Sequence, residues 1–359
     1  MPETAAEATV SWVKGALNQG GQPLVGRLTS VSRQPMCAGS GIFGELTRLR
    51  LGYHDRQPGD PESLVLKLPS RSPTNRARGR LFQLYERETR FYTELAPGLN
   101  LRVPRCYWAG STRESDGSGL LLEDLDGMGT SDLYQGISAE RARLAVQRLG
   151  VAHAQLWDCE SQRDLRWIPR LNGRVMRQLG QVYRQNWPTF ATLRGGTLPA
   201  EAMDLAAKVG IHFDELLEAI SRPPLTIAHG DFRVDNLFFG EGSDDAIVVI
   251  DWQLVCQGRG AYDVAYLLCQ CMDIADRRRH ETDVLRAWHD VLLECGVTGY
   301  SFDDAFHDYR LAVLVCFGCV VAGTNLDRPG YDRRALGEQQ AQRTFTAALD
   351  LDARSVLAA

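Results

Sequence analysis

The stretch His229-Gly230-Asp231-Phe232-Arg233-Val234-Asp235-Asn236 is followed by Ile250-Asp251-Trp252, with Asp251 fifteen residues after Asn236. Both motifs come at the end of short apolar runs that are typical of buried strands, 225–228 and 246–250. Phosphoryl transfer uses one carboxylate to accept the proton of an attacking hydroxyl, and an amide and a second carboxylate to hold Mg²⁺ against nucleotide phosphates. An aspartate after a strand can also simply form a turn, so neither motif is specific alone. The two motifs in this order indicate a phosphoryl-transfer site.

The first third of the chain is predicted to be a strand-rich region that could hold a nucleotide. Alternating apolar residues predict a strand over 47–53, and the apolar run 63–68, which contains Lys67, predicts another. Before them, Gly39-Ser40-Gly41-Ile42-Phe43-Gly44 has the GxGxxG spacing of phosphate-binding loops. A dinucleotide-binding loop of this kind must open a helix, whereas a strand pattern follows here. A glycine flap between two strands therefore fits better.

The remaining elements predict an α+β fold class. Apolar residues at helical spacing from Leu81 to Leu95 predict one long helix that ends near Pro97, after a polar loop at 70–75. Two further strands are predicted at 105–109 and 120–123. The polar, glycine-containing segment 124–131 is then the candidate boundary between two lobes. Beyond it the chain is predicted to be mostly helical, with Ser138 capping a helix that ends near Trp157 and another helix at about 200–220.

By these motifs and their order, the chain resembles the aminoglycoside phosphotransferase and choline kinase superfamily, and within it the ecdysteroid-kinase-like, or CHK-kinase-like, group. The resemblance covers about residues 25–347. It implies a protein-kinase-like bilobal fold, with an antiparallel-sheet lobe carrying one long helix and a mostly helical second lobe. Residues 1–124 would bind the nucleotide, 125–359 would provide catalysis and acceptor binding, and the hinge would lie near 123–131.

The resemblance also implies roles for residues of the two motifs. Asp231 would be the catalytic base, and Asn236 and Asp251 would be the ligands of Mg²⁺. His229 would brace the catalytic loop rather than act on the substrate. Asp263, further along the chain, would brace the same loop from a helix N-terminus.

The same resemblance implies an ATP site in the first lobe. Lys67 would bind ATP phosphates and pair with Glu88 on the long helix, and backbone groups near Glu123 and Leu125 would meet the adenine. Lys67 could instead extend to the surface, with Glu88 as a solvated helix charge. Arg233 could contact the γ-phosphate or pair with a neighbouring acid. The glycine loop would cover the phosphates, and its candidate residues are Gly39, Gly41 and Gly44.

The acceptor is predicted to be a small molecule that carries a hydroxyl group. Asp251 is followed by Trp-Gln instead of the Phe-Gly of protein kinases, no peptide-docking segment follows, and a helical insertion is predicted at 168–220. Sugar, aminoglycoside-like, amino-alcohol and sterol-like acceptors all stay open. Seven arginines between 163 and 194 are either a solvated helix face or part of a site for a neutral or anionic acceptor. Four side chains could line the pocket or belong to the core: Trp187, Trp252, Tyr262 and Asp273.

Composition excludes several other classes of protein. The 359 residues contain 40 Lys plus Arg against 45 Asp plus Glu, so no basic footprint for nucleic acid or an anionic membrane is expected. We expect a cytoplasmic protein, a monomer or homodimer, that binds neither nucleic acid nor membrane. The longest apolar run, 311–322, is shorter than the roughly 20 residues of a membrane-spanning helix.

Two other functions compete with an active kinase. A catalytically silent, ATP-binding pseudokinase with a regulatory role is the first, although the intact set Lys67, Asp231, Asn236 and Asp251 argues against it. An oxidoreductase built on the glycine loop at 39–44 is the second, and it would bind NAD rather than ATP.

Overall fold

The computed structural model describes residues 1–36, 43–112, 117–240, 247–325 and 332–357. By internal contacts the chain divides into two compact units. Unit 1 consists mainly of Met1–Gly98 and Val103–Met128, and unit 2 mainly of Leu99–Arg102, Gly129–Asp327 and Tyr331–Ala359. The assignment of nucleotide binding to 1–124 and of acceptor binding to 125–359 stays a prediction.

Unit 1 is built on a five-stranded antiparallel sheet with the strand order β1-β2-β3-β5-β4. The strands predicted from the sequence at 47–53, 63–68, 105–109 and 120–123 are all present. The first strand of the sheet was not predicted, because it is an edge strand that buries mainly Leu28 and so lacks an apolar alternation. The five strands are β1 (Leu28–Pro35), β2 (Gly44–Tyr53), β3 (Ser63–Pro69), β4 (Cys106–Thr112) and β5 (Gly117–Glu123).

One face of this sheet forms the hydrophobic core of unit 1. Helix α1 (Val10–Gln19) packs there, and its Leu17 belongs to the same buried cluster as Leu66 and Leu68 of β3. Successive residues of a strand point to opposite faces of the sheet. Lys67 therefore lies on the face away from this core, which explains how a lysine fits within an apolar strand.

The prediction of a single helix from about residue 81 to near Pro97 is wrong in its start and in its continuity. Two helices are present, α2 (Pro73–Leu81) and α3 (Leu84–Arg90), and a π-helical turn, Phe91–Leu95, continues α3. Gln83 separates the helices because its backbone is left-handed, with φ at 56°. The Ser72 hydroxyl caps α2, whose first residue is proline, so the segment interpreted as a polar loop carried a helix-start signal.

Unit 2 is mostly helical, as predicted. Ser138 caps α4 by accepting a hydrogen bond from the N–H of Arg141 at 3.3 Å. The helix predicted at about 200–220 is divided into two at His212. The helices of the unit are α4 (Ala139–Gln155), α5 (Arg174–Arg194), α6 (Ala200–Ile211), α7 (Phe213–Ile220), α8 (Ala261–Cys271), α9 (Ile274–Glu294), α10 (Phe302–Ala322), α11 (Arg333–Asp350) and α12 (Arg354–Leu357).

Short strands in unit 2 position the two motifs. They are β6 (Gly129–Thr130), β7 (Thr226–Ala228), β8 (Leu237–Phe239), β9 (Ile247–Val249) and β10 (Cys256–Gly258). Strands β6, β8 and β9 form one small sheet, and β7 pairs with β10. The loop from β7 to β8 carries 229–236, and the loop from β9 to β10 carries Asp251. The antiparallel sheet of unit 1 and the helices of unit 2 together confirm the α+β prediction.

Helix α10 extends the apolar run noted in the sequence. At 21 residues it is, within the described ranges, the one helix long and apolar enough to cross a membrane by length and composition, and 78% of its most apolar window is buried in the protein. A helix at the centre of a helical core can be as long and as apolar as a membrane-spanning helix, and burial of this extent is typical of such a core helix.

Candidate active site

In unit 1, Lys67 and Glu88 form an ion pair across the sheet face that lies away from the core. The Lys67 Nζ lies 2.7 Å from Oε1 of Glu88, and the two side chains are 15% and 4% exposed. A nearly buried carboxylate needs such a partner, because desolvation of an unpaired charge is costly. The ammonium is thus held beside α3 and does not extend into solvent.

Gly44 lies against the same lysine. A Cβ atom placed on Gly44 would lie 3.3 Å from Cε of Lys67, a tight contact. Gly44 opens strand β2, so the described part of the glycine motif leads into a strand and lacks the helix that a dinucleotide-binding loop requires. The other two predicted loop residues, Gly39 and Gly41, lie outside the described residues.

The predicted adenine-binding segment begins at the end of β5. The N–H of Glu123 donates to the Arg105 carbonyl at 2.8 Å, and its carboxylate accepts the N–H of Arg105 at 2.9 Å. The Leu125 carbonyl accepts the N–H of Met128 at 3.1 Å, closing a turn. Contact of this segment with adenine stays a prediction.

An arginine that the sequence interpretation missed anchors this segment. Arg48 of β2 contacts the Asp124 carboxylate with Nε at 2.6 Å and with Nη2 at 3.0 Å. The Asp124 side chain is only 3% exposed. Nothing local in the sequence indicates this pair, because 76 residues separate its members.

In unit 2, the loop between β7 and β8 brings Asp231 and Asn236 together. The Asn236 amide Nδ2 donates to the Asp231 backbone carbonyl at 2.9 Å and lies 3.4 Å from its Oδ2. A tight turn is needed to reach this arrangement. Gly230 provides it with φ at 84°, and a Cβ there would lie 2.3 Å from the Leu254 carbonyl oxygen. Glycine is thus required between the histidine and the aspartate.

Arg233 lies between two carboxylates. Its Nε is 3.0 Å from Asp235 and 3.5 Å from Asp231. Burial alone would lower the pKa of Arg233, but the attraction of Asp231 and Asp235 outweighs it and raises that pKa above the ordinary arginine value. This geometry corresponds to the ion-pair alternative, and a contact with the γ-phosphate stays a prediction.

Asp251 occupies a strained position directly after the β9 segment. Its backbone is left-handed, with φ at 64° and ψ at 62°, which costs an aspartate of order 1–3 kcal/mol. The N–H of Ile250 donates to the Asn236 carbonyl at 3.0 Å, continuing the β8–β9 pairing. Asn236 directly precedes β8, and Asp251 directly follows Ile250, the residue that binds Asn236. The two proposed metal ligands are therefore positioned by the same β8–β9 pairing.

His229 connects the two loops. Its Nε2 donates to the Ile250 carbonyl at 2.8 Å, while Nδ1 accepts the N–H of Asp231 at 3.2 Å. The imidazole is fully buried and lies 4.6 Å, centroid to centroid, from the ring of Trp252. The side chain thus holds the backbone at Asp231 and the residue before Asp251 in one arrangement, and it is not exposed to a substrate.

Asp263 supports the same loop from the first turn of α8. Its buried carboxylate accepts the N–H of His229 at 2.6 Å and the N–H of Gly230 at 3.0 Å. The Nε2 of His153 lies 3.4 Å from it, and His153 in turn accepts the indole N–H of Trp288 at 3.1 Å. The sequence interpretation did not identify Trp288, because its hydrogen-bond partner His153 lies 135 residues away along the chain.

The oxygen atoms that the two loops offer as ligands fit a hard divalent cation. The Asn236 NH₂ group is directed at Asp231, which leaves the amide oxygen of Asn236 as the acceptor. An amide oxygen and the Asp251 carboxylate are ligands that Mg²⁺ accepts, since it keeps several waters of its own. Within the described ranges, no cluster of three or more His, Cys, Asp or Glu side chains is arranged to hold a metal.

The four predicted acceptor-pocket residues are placed differently from one another. Trp252 is 2% exposed and Tyr262 is fully buried, which corresponds to the core alternative for these two side chains. Trp187 is half-buried and stacks on Tyr183 at 6.1 Å. Asp273 is exposed and caps α9 through Ala275. A role for Trp187 and Asp273 at the acceptor stays a prediction.

Solved structures of small-molecule kinases share this fold. A protein of Ralstonia eutropha provisionally assigned as an aminoglycoside phosphotransferase superposes with a TM-score of 0.56 at 15% identity, over 96% of this chain and 97% of that chain. A choline kinase from Cryptosporidium parvum gives 0.52 at 11% identity, over 90% and 89%. The GDP complex of an aminoglycoside 2'-phosphotransferase-IIIa mutant gives 0.52 at 13% identity, over 91% and 93%. These similarities confirm the predicted kinase-like fold.

One curated protein matches over a short stretch. It is from Arabidopsis thaliana and is named Probable acyl-CoA dehydrogenase IBR3, with 50% identity over 40 residues. The match covers 11% of this chain and 5% of the Arabidopsis protein.

A sequence model of one enzyme family matches residues 46–300, which is well over half of the 359 residues. The match spans the Lys67–Glu88 pair and both motifs around Asp231 and Asp251. The chain belongs to the phosphotransferase enzyme family, APH.

Proposed function

We propose that this family member is an ATP- and Mg²⁺-dependent phosphotransferase that phosphorylates a hydroxyl group of a small molecule. The observation that carries the proposal is the hydrogen-bonded arrangement in unit 2, in which Asn236 binds Asp231 and His229 joins the backbone of Asp231 to that of Ile250, the residue before Asp251. Unit 1 contributes a paired, largely buried lysine of the kind that binds nucleotide phosphates.

The proposed reaction uses Asp231 as the general base. Its carboxylate accepts the proton of the acceptor hydroxyl while the hydroxyl oxygen forms a bond to the γ-phosphorus of ATP. The bond from this phosphorus to the bridging oxygen breaks, and ADP leaves with the electron pair. Asn236 and Asp251 would hold Mg²⁺, which when bound neutralises charge on the phosphates.

Three of the seven arginines of the helical insertion form ion pairs with acidic side chains of other helices. Arg177 and Arg184 of α5 pair with Glu218 and Asp214 of α7, and all four side chains are 40% or more exposed. Buried Arg194 pairs with Glu338 at 3.2 Å. These three arginines therefore serve contacts between helices and give no support to an anionic acceptor.

A coupled ADP-release assay over amino alcohols, aminoglycosides, sugars and sterols tests the proposal. We expect ADP release that depends on one class of acceptor, and Asp231→Asn should lower its turnover by roughly 10²–10⁴ with the fold retained. ATP binding without turnover on any acceptor would favour the pseudokinase. Stabilisation by NAD and not by ATP in a thermal-shift experiment would favour the oxidoreductase. Near wild-type turnover of Asp231→Asn would remove the base assignment.

The remaining expectations concern the location, the oligomeric state and the partners of the protein. A cytoplasmic location, a monomeric or homodimeric state and the absence of nucleic-acid and membrane partners stay predictions. The names of the similar proteins, choline kinase and aminoglycoside phosphotransferase, guide which acceptors enter the panel first.

A further inference from the structure

Gln253 contacts the proposed metal ligand from two residues further along the chain. Its Nε2 lies 3.3 Å from Oδ2 of Asp251 and donates a hydrogen bond to it. Gln253 lies in the short 3₁₀ turn Trp252–Leu254 and is only 7% exposed. A buried amide in this position has little freedom to rotate away from the carboxylate.

The contacts that hold the backbone around Asp251 do not orient its carboxylate. His229 binds the carbonyl of Ile250, and the Trp252 indole N–H donates to the Val249 carbonyl at 3.1 Å. Both contacts fix main-chain atoms and thereby the unusual left-handed conformation of Asp251. Rotation of the carboxylate about the side-chain bonds is a separate freedom, and the hydrogen bond from Gln253 acts on it directly.

An amide is chemically suited to this task. A lysine or arginine in its place would orient the carboxylate but would also repel a divalent cation. A glutamine N–H carries no net charge, so it holds one oxygen while the carboxylate keeps its full negative charge. Groups that hydrogen-bond to metal ligands commonly set metal affinity by this means.

We propose that Gln253 is a positioning residue that holds the Asp251 carboxylate in the orientation in which it binds a divalent cation. The inference rests on the proposed function, because it requires Asp251 to be a ligand. It assigns no contact between Gln253 and the cation itself.

The test measures Mn²⁺ binding by electron paramagnetic resonance in the presence of saturating ADP. Gln253→Met keeps the length and apolar volume of the side chain but removes the donor. We expect its Mn²⁺ dissociation constant to rise by roughly tenfold or more. Turnover should fall at low free Mg²⁺ and recover as Mg²⁺ is raised, a rescue that a merely structural defect would not give.

Three further variants separate the possible outcomes. Gln257→Met removes a different buried amide, which donates to the Leu165 carbonyl at 2.9 Å, and should leave Mn²⁺ affinity unchanged. Gln253→Asn keeps the amide but is too short to reach Asp251, so it should reproduce the loss if Gln253→Met folds poorly. Asp251→Asn should abolish the site.

If both Gln253 variants bind Mn²⁺ as tightly as the wild type while Asp251→Asn does not, Gln253 has no positioning role and the proposed function stands. If Asp251→Asn also binds normally, Asp251 is not a ligand and the proposed function itself fails at this residue. A loss of affinity in Gln257→Met equal to that in Gln253→Met would reduce the effect to general destabilisation and overturn the inference.

Discussion

Lys67 is one of three lysines in a chain whose other basic residues are all arginine. Its environment differs from that of Lys208, which is 48% exposed and pairs with Asp204 on the same helix at 3.3 Å. Lys67 instead pairs with a nearly buried glutamate, and its stem passes against the bare Cα of Gly44. A compact ammonium fits there, whereas a planar guanidinium needs more width.

We expect Lys67→Arg to lower kcat/KM for ATP by roughly 10²-fold, because the larger head group cannot keep the contact with Glu88 and reach phosphate from the same position. Steady-state kinetics with varied ATP measure this. Lys208→Arg is the matched control and should leave the kinetics unchanged, since an exposed pair at i,i+4 contributes little. Unaltered ATP kinetics in Lys67→Arg would show that the lysine does not act on the nucleotide.

Helix α10 is the element against which much of unit 2 packs, and its start is specified locally. The Ser301 hydroxyl accepts the N–H of Asp304 at 3.1 Å, and the Asp304 carboxylate accepts the N–H of Ser301 at 2.9 Å. This reciprocal pair is a capping box. Hydrogen bonds from Ser301 lower the pKa of Asp304, so the box is retained at mildly acidic pH.

Ser301→Ala should lower the free energy of unfolding by about 1 kcal/mol, because the backbone N–H of Asp304 at the helix start loses the hydroxyl that accepts its hydrogen bond. Denaturant unfolding followed by circular dichroism provides the value. Ser301→Thr keeps a hydroxyl acceptor and should retain most of the stability. Equal losses in both variants would mean that the effect comes from the site's packing and not from the cap.

Across unit 2, Arg259 and Asp308 join segments that are distant in the sequence. Both Asp308 carboxylate oxygens lie within 2.7 Å of Arg259 Nη1, and the Tyr300 hydroxyl donates to the same carboxylate at 2.8 Å. Arg259 also donates to the carbonyls of Arg222 and Pro223. The arginine lies two residues before α8, which carries Asp263, so this network anchors the helix that supports the loop around Asp231.

Arg259→Met should destabilise the protein by about 3–5 kcal/mol at neutral pH, because Asp308 would be left buried without its cation. The deficit relative to wild type should shrink as the pH falls. Burial raises the pKa of Asp308, with Arg259 opposing that rise, so loss of the arginine raises the pKa further. A carboxyl whose pKa is raised on folding is most favourable when protonated, which is the state that acid promotes.

Thermal unfolding at neutral and mildly acidic pH measures both effects. Arg279→Met, which breaks an exposed pair with Asp276, is the control and should change stability by less than about 0.5 kcal/mol at either pH. A deficit that stays constant with pH would show that Asp308 does not carry the cost.

Much of the fold could be predicted from local patterns, and the errors have physical causes. Strands β2 and β3 follow from apolar alternation and from a buried run, and the Ser138 cap of α4 follows from a short-range hydrogen bond. The break at Gln83 could not be predicted, because a left-handed backbone at a glutamine has no local signal in the sequence of the kind that a glycine would give. Strand β1 was missed because it buries mainly Leu28, so both of its faces are largely exposed and it shows no apolar alternation.

The candidate site divides in the same way. The residue types at 229–236 and 250–252, their spacing and their order are properties of the chain, and they are enough to predict a phosphoryl-transfer centre and the family. Other features depend on residues that are far apart in the sequence. Arg48 pairs with Asp124 across 76 positions, and Trp288 supports the centre through His153 across 135 positions. The burial of Trp252 and Tyr262 depends on packing from several elements. Contacts of that range arise only when the chain is folded. The local sequence sets which groups are available, while packing sets which of these groups meet and which are buried.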